Sequence, residues 1–139
     1  MKLRYFVLGL MVLVVWSGAV TAQTFTNSTA ITIADFTTAS PYPSSIMVTG
    51  TTGNVSDVNV RINGLTHTFP DDVGYLLVSP TGARMVIQSD VGGGADLVGR
   101  NYTLDDQAAT AIGDSGPMPV EGGSARPSSV NSRACCARC

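Results

Sequence analysis

From Val58 the chain alternates: Val58, Val60 and Ile62 fall on one side, Asn59, Arg61 and Asn63 on the other. A period of two residues is the mark of a strand buried on one face only. "AITIAD" alternates in the same way, with Ile31 and Ile33 opposite Thr32. "PYPSSIMVTG" predicts another strand, Ile46–Val48, emerging from a lead stiffened by prolines. The strongest pattern is "VGYLLVSPTGARMVIQSD". Ser79-Pro80-Thr81-Gly82 places Pro second and Gly fourth, which suits a type I turn followed by a bulge. Its arms are Tyr75–Val78, apolar on both faces like a strand between two layers, and Arg84–Gln88.

Nothing from residue 23 onward reads as a long amphipathic helix. Closely spaced strands without helices predict an all-β fold, a β-sandwich or jelly roll. After Leu104 the alternation decays. "DDQAATAIGDSGPMPVEGGSARPSS" has few β formers and many small residues, so a long loop is expected there. The ending "ARPSSVNSRACCARC" has no period at all, which predicts an irregular tail over 115–139.

The first residues belong to export rather than to the fold. Lys2 and Arg4 precede the apolar run Tyr5–Trp16, and "SGAVTA" follows with small residues at Val20 and Ala22. That run has 12 residues, against the roughly 20 a membrane span needs. The pattern predicts a cleaved signal peptide over 1–22, a secreted (or, in a Gram-negative cell, periplasmic) product, and no membrane association after cleavage. One domain is expected after it.

Between Gln23 and Glu121 ten carboxylates face only Arg61, Arg84 and Arg100, a net charge of −7, and the sole lysine is Lys2. A body this acidic repels phosphate backbones, which excludes nucleic acid as a partner and favours hard cations. Cys135, Cys136 and Cys139 all lie in the last five residues. They neither staple the body nor complete a metal set, and no bond from them to the body is expected.

"GDSGP", Gly113–Pro117, resembles the sequence around the nucleophile of chymotrypsin-like proteases. The only histidine is His67, so catalysis by Ser115 would have to use it. The chain is too short for the two barrels of that fold, and Pro117 replaces the second glycine of the usual run. A tight turn made by Gly, Asp and Pro is the expectation for this segment. His67, flanked by Thr66 and Thr68, reads as a hydrogen-bonded residue at the end of a strand.

An ordered series runs through "VSDVNVRINGLTHTFPDDVGYLLVSPTGARMVIQSDVGGGADLVGRNYTLDD". It comprises a valine-alternating strand, an H-T pair, D-D-V, an apolar strand, S-P-x-G, a second apolar strand, and S-D followed by glycines. This series resembles the P domain, or P/Homo B domain, of subtilisin-like proprotein convertases, in particular its bacterial secreted branch. The likeness spans about Ala30 to Asp114. It implies a jelly roll of the P-domain type over 23–114 that accompanies and stabilises a separate subtilisin-like catalytic domain and has no triad of its own. Domains of that family continue into tryptophan-containing strands, whereas no Trp follows Trp16 here. The expectation is therefore a domain lacking its last strands, with an ending that looks like an out-of-frame read.

Calcium is the cofactor these residues suggest. Asp90 and Asp96, joined by the glycines of "SDVGGGAD", are candidate ligands, since calcium collects carboxylates, backbone carbonyls and water on loops between strands. Some members of the resembled family bind calcium. "GGGADLV" also matches one copy of a calcium-binding nonapeptide repeat, although that architecture needs a tandem array. A glycine-rich phosphate loop is excluded because no Lys, Ser or helix start follows Gly94. The expected function is that of a secreted, non-catalytic module whose partner is a subtilisin-like catalytic domain or another extracellular protein. The alternative is a free-standing adhesion or glycan-binding sandwich.

Overall fold

The structure, a computed structural model, describes residues 22–34 and 37–129. The expected signal peptide, up to residue 21, and the three cysteines lie outside the described residues. The described chain is all-β, without an α-helix. Its strands are β1 (Val60–His67), β2 (Tyr75–Val78), β3 (Arg84–Ser89), β4 (Leu97–Leu104), β5 (Gly123–Ala125) and β6 (Ser128–Ser129), and a 3-10 turn, Pro70–Asp72, precedes β2. They form two three-stranded sheets, ordered β1-β4-β5 and β2-β3-β6. Both are mixed: β1 pairs with β4 and β2 with β3 antiparallel, while β5 joins β4 and β6 joins β3 in parallel.

The alternation around Val60 is real, and a bulge carries it further. Val60 and Ile62 point inward, and the register then slips between Ile62 and Leu65. Gly64 takes a φ of 71° within that slip. The extra residue shifts the inward phase by one, so Leu65 becomes the buried position. Val58 lies before the strand and is exposed.

The β2–β3 hairpin has the turn its residues demand. Gly82 N donates to Ser79 O at 2.9 Å, Ser79 N to Ala83 O at 2.8 Å, and Gly82 has φ 85°. The Ser79 hydroxyl accepts from Ala83 N as well, locking the turn from its side chain.

Two expected strands do not form. Thr32 and Ser40 make a single bridge, and Ile46, Met47 and Val48 are exposed with no strand beside them among the described residues. Pro41 and Pro43 follow the bridge and lack the N–H that a longer ladder would need. Ile46–Val48 has the propensity for a strand but no apolar surface to pack on.

The irregular run expected beyond residue 115 also needs correction. β5 and β6 lie inside it, and the chain after Leu104 contributes Ile112, Met118 and Ala125 to the core cluster and buries Ala108 as well. Small residues suffice here because the parallel ladders to β4 and β3 hold the backbone. The core is completed by Leu65, Val73, Ile87, Val91, Leu97, Tyr102 and Leu104.

Candidate functional site

Three loops meet at one end of the sheets: Phe69–Val73, Ser89–Gly94 and Gly113–Met118. Gly92 N donates to Gly113 O and Gly93 N to Asp114 O, each at 3.0 Å, while Asp71 N donates to Gly93 O at 3.2 Å. The glycines are needed for this approach. A Cβ on Gly92 would stand 2.5 Å from Met118 Sδ, and one on Gly94 would stand 2.5 Å from Phe69 Cε2. Gly92 and Gly93 also have positive φ, 109° and 64°. "GDSGP" is thus the seat on which the glycine turn docks, closed by Gly116 N donating to Gly113 O at 3.3 Å.

This junction gathers carboxylates that are far apart in sequence. Asp71 is pushed above the ordinary carboxylate pKa, first by burial and then by the charges of Asp114, Asp90 and Asp72. Its Oδ1 is buried and has no hydrogen-bond partner among the described residues. Asp90 has φ 52°, a left-handed conformation that Asp tolerates better than most residues, and its Oδ2 accepts from Ser89 Oγ at 2.6 Å.

Asp96 has different surroundings. It is exposed on a shallow groove of about 440 Å³ with Thr66, His67 and Thr68. Asp90 instead belongs to the charge cluster of Asp71. Among the described residues no three His, Cys, Asp or Glu side chains are grouped to hold a metal ion. A calcium ion between Asp90 and Asp96 would have to draw its other oxygens from backbone carbonyls and water.

His67 stands at the end of β1. Its Nδ1 lies 2.8 Å from Phe69 O and 3.1 Å from Phe69 N, so it donates to the carbonyl when protonated and accepts from the N–H when not. Ser115 is exposed on the Gly113–Gly116 turn. Among the described residues the two share no hydrogen bond.

A buried polar pair lies between the central strands. Tyr102 Oη on β4 donates to Gln88 Oε1 on β3 at 2.8 Å, and Gln88 Nε2 has no partner among the described residues. Burial drives the Tyr102 hydroxyl far above its usual pKa, with Tyr75 adding to the effect, and pushes Tyr75 up to about 12. Both phenols therefore stay neutral donors. A glutamine in the apolar run of β3 was the available sequence signal for this pair. The acid cluster had no local signal, because Asp71 and Asp114 come from distant segments.

On the outer side of β4, Glu121 accepts from Asn101 N at 2.9 Å and from Asn101 Nδ2, while Asn101 Oδ1 accepts from Gly64 N at 2.9 Å. The β1 bulge, β4 and the loop before β5 are clamped together by these bonds. No protein-family model and no solved structure matches the chain.

Proposed function

We propose that the chain is a secreted, non-catalytic module of the P/Homo B type that accompanies and stabilises a subtilisin-like serine endopeptidase. Its two sheets would then be the faces of a P-domain jelly roll. The supporting observation is the order of the motif series along the strands. The valine alternation runs from Val58 into β1, H-T follows at its end, D-D lies in the 3-10 turn, the two apolar segments in β2 and β3, S-P-T-G between them, and S-D spans the end of β3 with its glycines in the turn before β4.

Calcium enters this reading on the condition that Asp90 and Asp96, despite their different surroundings, share one ion completed by backbone carbonyls and water. A melting curve in millimolar calcium tests it, because a ligand of the folded state alone raises the melting temperature. A rise lost in Asp96→Ala supports the assignment, and an unchanged curve removes it. The wider function is tested by appending the chain to a subtilisin-like catalytic domain and following the protease's half-life at raised temperature. A longer half-life supports the accessory role, and an equal one overturns it. Labelling of the chain itself by a serine-directed fluorophosphonate would overturn its non-catalytic character.

A further inference from the structure

At the mouth between the two sheets lies an apolar groove of about 300 Å³. Its walls come from both sheets: Val60 of β1 and Leu104 of β4 on one, Leu77 of β2 with Met85 and Ile87 of β3 on the other. Met85 is 52% exposed and Leu77 36%, so these side chains reach solvent. Among the described residues β1 and β2 are edge strands of their sheets. An edge strand offers a row of unpaired backbone donors and acceptors, and proteins usually guard such edges with charge or proline. β2 reads Tyr-Leu-Leu-Val and carries neither.

The rim supplies the remaining chemistry. Asp57 and Asp106 line the groove, and among the described residues no Lys, Arg or His does. A second copy of the chain would bring the same two carboxylates and the same acidic body, so self-pairing sets like charge against like. A strand with basic flanks meets the opposite charge.

We infer that this groove is the docking site for an extended segment of a partner protein, apolar at alternate positions and basic at its ends, added as a strand to the free edge of β2. Backbone hydrogen bonds would supply affinity, and the alternate side chains filling the groove would supply specificity. The inference rests on the groove alone and holds whether or not the chain accompanies a protease.

The test is an array of synthetic nonapeptides probed with the labelled full chain under reducing conditions. One set alternates Val and Thr between terminal lysines. A second replaces the lysines by glutamates, and a third keeps the lysines but has a central proline, which removes a backbone donor. Selective capture by the first set is expected, weakening as salt is added. Met85→Lys should lower that capture by roughly tenfold or more, since it places a charge in the apolar wall. Met85 is half exposed, so an unchanged melting curve should accompany the loss. Asp106→Asn, on an exposed loop, should weaken capture and flatten its salt dependence. Equal capture of all three sets, or no capture of the first, overturns the inference. So does sedimentation showing a self-association that Met85→Lys abolishes, because a second copy would then be the occupant.

Discussion

Tyr102 and Gln88 join the two sheets at their central strands, through a 2.8 Å hydrogen bond from the phenol to the amide oxygen. Both residues are almost wholly buried, and among the described residues the amide nitrogen of Gln88 is without a partner. The bond therefore satisfies only half of a polar group that water cannot reach.

Removing the phenol should expose that imbalance. Tyr102→Phe leaves Gln88 with neither end bonded and should cost about 1–3 kcal/mol in urea unfolding. Adding Gln88→Leu to Tyr102→Phe should recover most of the loss, because an apolar pair of similar shape has nothing to desolvate. A double variant no more stable than Tyr102→Phe would show that packing around the amide, not its hydrogen bonding, sets the cost.

Gly92 separates steric crowding from backbone strain. Gly82→Ala meets open space and carries only the penalty of positive φ, about 1–3 kcal/mol. Gly92→Ala carries a similar penalty and also drives a methyl into Met118, which adds about 1–3 kcal/mol of overpacking. The two melting temperatures should differ accordingly, with Gly92→Ala the lower.

The Asp71 carboxyl predicts a rise in stability on neutralisation. Its folded pKa lies above the unfolded value, so the folded state favours the protonated acid. That advantage is present at low pH and lost as pH rises through the folded pKa. Asp71→Asn fixes the neutral form. It should stabilise the protein at neutral pH and change little below about pH 3, where the acid is protonated in both states. Urea midpoints measured across that range check the crossover.

Glu121 has the opposite sign. Hydrogen bonds from Asn101 hold its carboxyl below the ordinary range, so its contribution is present above the unfolded pKa and fades as pH falls through the folded one. Glu121→Gln should weaken the protein at neutral pH, and the gap to the unaltered chain should close in acid. A gap independent of pH would assign the role of Glu121 to its shape rather than its charge.

The parts legible in the sequence are those with local physical causes. β1, β2, β3 and the Ser79–Gly82 turn follow from alternation over adjacent residues and from Pro and Gly placed at fixed turn positions. β4 is harder to read because Gly99, with φ 63°, interrupts "LVGRNYTL" where the partner strand is irregular. β5 and β6 carry no alternation: they are short, small-residue segments whose partners lie far back in the chain. The Ile46–Val48 expectation failed for the converse reason, local propensity without a tertiary partner. Asp90 and Asp96 look like neighbours in sequence, yet the intervening glycine turn gives one a seat beside Asp71 and the other a place beside His67. Neither setting can be inferred from a spacing of six residues.

β5 and β6 each supply the third strand of a sheet, and only Arg126 and Pro127 separate them. Synthesis therefore delivers the closing piece of both sheets at almost the same moment, after β1 to β4 have emerged. Until then β3 and β4 each have one open side, and non-local pairing of this kind is slow to form. Open strand edges on an incomplete chain invite aggregation and proteolysis. A chain stopped before Gly123 would remain in that condition permanently, so the few residues from Gly123 to Ser129 decide whether the nascent sheets are covered or become a substrate for quality control.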